Sequence, residues 1–137
     1  MLQGKGRLYL SYFNKLSKGK GKKISIALYN PDLKEGAIDD SFKQLAPSEK
    51  LFKAYKYDGL SFEEYTDIYL AQLQNMCYVN DSGQLKALEG TDLYELIKLL
   101  DSGIDVTVYC YEKEYRKCHR FLLGIVVNKF GYKVYII

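Results

Sequence analysis

The reactive side chains of this sequence are concentrated between Cys110 and Arg120, where Cys110 closes a run of strand-forming residues and Cys118-His119-Arg120 precedes a long apolar stretch. A helix start and adjacent cations stabilise a thiolate. Cys118, beside Lys117, His119 and Arg120, can therefore serve as a nucleophile or ligand, or simply fill a tight turn as a small half-buried residue. His119 is the only histidine; it can carry a proton near neutral pH, or cap a loop. Cys110 and Arg116 have the Cys-x5-Arg spacing with which thiol-dependent phosphatases and sulfur transferases wrap an anion. Here the intervening residues contain no glycine or serine and bring in Glu112 and Glu114, where an anion cradle needs free amides and positive potential. Glu112 is expected to pair with Arg120 and fix the loop. Cys110, Glu112, Cys118 and His119 are all metal-ligand types, but their spacing matches no common zinc pattern. Cys118 and His119, adjacent at a helix start, are expected to diverge, so no metal is expected.

These residues need a scaffold, and the hydrophobic periodicity supplies one. Arg7 to Phe13 alternates as a strand covered on both faces, and Lys23 to Leu28 is a second, buried strand closed by Asn30-Pro31. Between them the run from Ser17 to Lys23 mixes glycines with Lys18, Lys20, Lys22 and Lys23, the pattern of a mobile basic loop. Three amphipathic helices follow. The first is capped by Ser48 and stopped by Gly59, and the second runs from about Ser61 to Asn75 with a Ser61/Glu64 capping box. The third runs from Thr91 to Leu100 and stops at Asp101-Ser102-Gly103. Asp105 to Cys110 is the next strand. A buried helix then begins near Cys118 and extends to Lys129, and a final strand lies at Lys133 to Ile137. Alternation of this kind predicts one compact α/β domain spanning residues 1–137, a mainly parallel, Rossmann-like sheet of about four strands flanked by helices.

The composition narrows the function classes. A chain of 137 residues can bury a real core without covalent staples. The odd cysteine count and the absence of an apolar leader in MLQGKGRLYL predict reduced thiols in the cytoplasm. No stretch approaches the roughly 20 apolar residues of a membrane helix, so no membrane partner is expected. A formal charge of +3 is too mild to mark a dedicated nucleic-acid-binding domain. Fourteen tyrosines with no tryptophan read first as core filling, with each hydroxyl at the rim, and nothing in their spacing favours a stacking platform for bases over packing.

Val108 to Lys113 together with Cys118 to Leu123 resembles the C-terminal signature of the domain of unknown function 488 family. Leu8 to Phe13, Ile24 to Ile26, Leu45 to Ser48 and the stretch from Glu64 to Tyr69 resemble its shorter members in the same order. The resemblance implies a compact α/β domain with its marked residues at one sheet edge. Those residues fall on Cys110, Glu112, Cys118, His119 and Arg120, with Ser11, Tyr12, Pro47 and Ser48 as further candidates for ligand binding. The chain departs from the pattern in its lysine-glycine loop after Phe13. The resemblance leaves any cofactor unspecified.

Three functions remain open. One is a module binding a small anionic or nucleotide-like ligand at the Cys110–Arg120 loop and helix start, with Arg120 and Ser11 as contacts. A second is a thiol-dependent enzyme using Cys118 or Cys110 with His119. The third is a nucleic-acid or protein interaction domain using Lys18, Lys20, Lys22 and Lys23. The sequence does not specify an oligomeric state.

Overall fold

The fold was analysed in a computed structural model, which describes residues 4–111 and 118–137. Its centre is a parallel sheet of five strands, one more than the sequence suggests. These are β1 (Leu8–Tyr12), β2 (Lys22–Ser25), β3 (Asp40–Ser41), β6 (Val106–Cys110) and β7 (Val134–Ile136), in the order β3-β2-β6-β1-β7. A separate antiparallel hairpin pairs β4 (Cys77–Val79) with β5 (Leu85–Ala87). The sheet and its flanking helices make a Rossmann-like α/β domain.

The helices are α1 (Glu49–Tyr57), α2 (Phe62–Gln74), α3 (Asp92–Asp101) and α4 (His119–Lys129). Three of them start where their caps dictate. The hydroxyls of Ser48, Ser61 and Thr91 accept from the backbone N–H of Leu51, Glu64 and Tyr94, and the Ser61/Glu64 capping box is complete. β2 is shorter than its apolar run, because its last bond to β6 is from the Ile26 N–H to the Tyr109 carbonyl at 3.0 Å and the backbone turns away beyond it. The Ser25 hydroxyl then bonds the side chain of Asn30 and accepts from the Ala27 N–H, which bends Ile26 to Leu28 into a loop at the sheet edge. The β4–β5 hairpin was not legible in advance. Its turn is held by Asn80, whose side-chain oxygen accepts from the backbone of Ser82 and Gln84, and by Gly83 at φ +79.

Chain connections decide what covers each face of the sheet. β1 reaches β2 by crossing β6, and β6 reaches β7 by crossing β1 in the opposite direction. Parallel crossovers are right-handed, so the two connections lie on opposite faces. α4 takes one face: Leu8, Leu10, Ile24, Val106 and Val108 join Leu93, Leu96, Leu100, Leu122, Leu123 and Val127 in a single core. Gly124 lets α4 come close, since a Cβ there would stand 2.8 Å from Leu10 Cδ1 and 3.1 Å from Val134 Cγ1.

The other connection is the basic segment, and it is not a free loop. Phe13–Lys18 forms a 3-10 helix. Next, the Lys20 backbone donates to Thr107 Oγ1 at 2.8 Å, and Thr107 donates back to the Lys20 carbonyl at 2.7 Å. Gly19 lies so close to the Tyr109 hydroxyl that there is no room for a Cβ. This strap covers Tyr9, Thr107 and Tyr109, and it leaves the side chains of Lys18, Lys20 and Lys22 exposed.

Candidate functional site

Strand β6 ends at Cys110, level with Tyr12 of β1. Side chains alternate across a strand, so Cys110 follows Val106 and Val108 toward α4. Cys118 is the N-cap of α4, with extended backbone angles (φ −120, ψ 145), and His119 is the first helical residue. The expected divergence of Cys118 and His119 does not occur. An extended N-cap does not follow helical spacing, so its side chain can turn to meet that of its neighbour.

The three side chains and Arg120 form one buried cluster. The sulfurs of Cys110 and Cys118 are in bonding contact, although their Cα atoms stand 7.7 Å apart. A disulfide ordinarily needs less than about 7 Å. The prediction of three separate reduced thiols is corrected to this extent: two of them meet, while Cys77 stands alone on β4. Arg120 Nη1 donates to Cys110 Sγ at 3.0 Å, and its guanidinium lies 5.8 Å from the centre of the Tyr12 ring. That hydrogen bond fixes the Cys110 sulfur against the start of α4.

His119 Nε2 lies 2.6 Å from the carbonyl oxygen of Ile26, in the loop after β2. A carbonyl only accepts, so Nε2 carries the proton and Nδ1 presents a lone pair, 3.6 Å from Cys118 Sγ. Burial pushes the His119 pKa down to about 4. The charge of Arg120 adds to that, and the bond to Ile26 opposes it. The ring meets Tyr69 edge-on at 5.5 Å, and the Tyr69 hydroxyl is fixed by the Leu45 carbonyl at 2.6 Å.

Above this cluster lies a cavity of about 440 Å³, at the carboxyl ends of β2 and β6. Cys110, Cys118 and His119 form its floor. Tyr29, Phe52, Tyr55, Tyr65 and Tyr111 form aromatic walls, and Lys56 stands at the rim. The walls brace one another: Tyr55 and Tyr65 have ring centroids 4.6 Å apart, and Tyr29 meets the edge of Phe52 at 6.2 Å.

The other candidates divide. Pro47 lines the cavity, Ser48 caps α1, and Tyr12 supports Arg120. Ser11 alternates with Leu10 and Tyr12 and therefore lies on the strap face, away from the cluster. It is fully buried, and its hydroxyl has no hydrogen-bond partner among the described residues. Glu112, Glu114, Arg116 and Lys117 lie outside the described residues, so the Glu112–Arg120 pair and the Cys-x5-Arg arrangement fall there too.

Sequence reasoning missed the walls. Phe52, Tyr55 and Tyr65 sit at core-facing positions of α1 and α2, and a buried ring and a pocket wall share the same helical spacing. No helix among the described residues is long and apolar enough to cross a membrane. No curated protein and no solved structure matches the chain. A family model described as the active DUF488-N3 subclade matches residues 10–131, from β1 to the turn after α4, and so takes in the whole cavity floor. The chain belongs to the DUF488-N3a family.

Proposed function

We propose that the cavity binds a small, flat, nucleotide-like ligand, with a ring between the aromatic walls and an acidic group toward Lys56. The observation that carries this reading is the pairing of aromatic walls with a polar floor, at the edge of a parallel sheet where ligands of α/β proteins bind. Arg120 was the expected anion contact. It is engaged with Cys110 and Tyr12, so Lys56 takes that role. The test is thermal stabilisation of the full chain by nucleosides and by nucleoside mono- and diphosphates. A ligand at 100 times its Kd adds about 2.7 kcal/mol, and Phe52→Ala should remove the response. If no member of the series stabilises the chain, the reading fails.

A second reading, thiol-dependent catalysis, is favoured by the Nδ1 lone pair facing Cys118 and the Arg120 hydrogen bond to Cys110. It requires a product. Turnover of a bound ligand that survives Cys77→Ser but not Cys110→Ser or Cys118→Ser would support it. A ligand recovered unchanged would leave the protein a binding module.

A further inference from the structure

We infer that Cys110, Cys118 and His119 form a site for one thiophilic divalent cation, zinc before the others. Their ligand atoms, two sulfurs and the unprotonated Nδ1, all lie within 4.8 Å of one another, and all three residues are buried. Two further observations point to a ligand shared among them. Histidines that bind metals almost always give their second N–H to a carbonyl or carboxylate, which fixes the tautomer and aims the ring, and His119 gives Nε2–H to Ile26. In addition, the Cα atoms of the cysteines stand 7.7 Å apart, wider than a disulfide spans without backbone movement. A cation held by both sulfurs draws them apart from that contact, which the wide Cα separation accommodates.

The donor set selects the metal. Thiolate and imidazole suit zinc and exclude magnesium and calcium, which take oxygen ligands. Charge is balanced as well: a divalent cation displaces one proton from each thiol and leaves a neutral M(Cys)₂(His) unit, with two protons released to solvent. Arg120 Nη1, already on Cys110 Sγ, supplies an N–H···S bond that holds the thiolate in place. Three protein ligands on a cavity floor leave the fourth tetrahedral position facing the cavity, the pattern of catalytic rather than structural zinc. Only this last step rests on the ligand reading given above.

The test is a titration of the full-length chain, reduced and metal-stripped under argon, with cobalt as a spectroscopic probe and zinc as competitor. The expected result is one equivalent of Co²⁺ bound with a thiolate-to-cobalt charge-transfer band and a tetrahedral visible spectrum, both abolished by one equivalent of Zn²⁺. Cys110→Ser and Cys118→Ser should each weaken binding by at least the roughly 100-fold that loss of an outer hydrogen-bond partner can cost. Cys77→Ser should bind as the unaltered chain does, and circular dichroism reports whether each variant is folded. Thiol counting separates this site from a disulfide: the reduced chain should titrate as three thiols before zinc and one after. Absence of a charge-transfer band, or a band that survives in folded Cys110→Ser and Cys118→Ser, overturns the proposal. Nucleotide stabilisation measured on the metal-free chain stands or falls separately.

Discussion

Along β6, alternate residues enter two different environments. Val106, Val108 and Cys110 face the helices, and Thr107 and Tyr109 face the strap, yet all five are essentially inaccessible to water. The helix face is aliphatic until its last residue, where Cys110 meets Arg120 and the start of α4. The strap face is lined by hydroxyl-bearing side chains, and Thr107 both accepts from and donates to the Lys20 backbone. Equal burial thus does different work on the two sides. One face carries the aliphatic core and places the Cys110–Cys118–His119 cluster at its exit, while the other fastens the connection from β1 to β2.

The contrast can be broken from either side. Leu10→Ala, which removes the contact beneath Gly124, should cost about 2–5 kcal/mol, read as a lower urea midpoint. His119 gives the next largest effect, as a pH dependence in the metal-free chain. Its pKa is lower in the folded protein than in the unfolded chain, so its contribution is complete above 6.5 and is lost as the pH falls toward about 4. The distance from 6.5 to about 4 corresponds to about 3 kcal/mol, and denaturation midpoints between those pH values should trace it. A flat profile across that window would contradict a buried neutral histidine. Thr107→Val keeps the shape and deletes both strap bonds. About 1–3 kcal/mol is expected, together with faster tryptic cleavage within Lys18 to Lys23 and an unchanged cavity. Ser48→Ala should cost only about 1 kcal/mol, for one lost cap on α1.

The same contrast explains what the sequence could and could not reveal. α1, α2 and α3 announce themselves through Ser48, Ser61 and Thr91, because a cap is a local event. Position at the end of a strand and the start of a helix located Cys110, Cys118, His119 and Arg120. Their convergence depends on the N-cap angles of Cys118 and on a carbonyl of Ile26, ninety-three residues away, and neither is a local signal. The lysine-glycine run reads as a free loop because charge and glycine are visible in sequence, whereas the two bonds from Thr107 are not. Ser11, paired in register with Tyr109, looked like a neighbour of Arg120 until strand alternation put it on the far face. The aromatic walls were hidden for the opposite reason, since helical spacing marks a ring as inward-facing without saying whether an atom or a ligand fills the space beside it.

The most direct measurement of the sulfur pair at the cavity floor is reaction of the reduced chain with phenylarsine oxide. This reagent bridges two thiols held close together, forming two As–S bonds and releasing one water. The expected result is one arsenic per chain, bridging Cys110 and Cys118 by peptide mapping, with slower reaction when the cavity is filled and no stable adduct in Cys110→Ser or Cys118→Ser. An adduct through Cys77, or none with the folded chain, would show that the two cysteines do not meet.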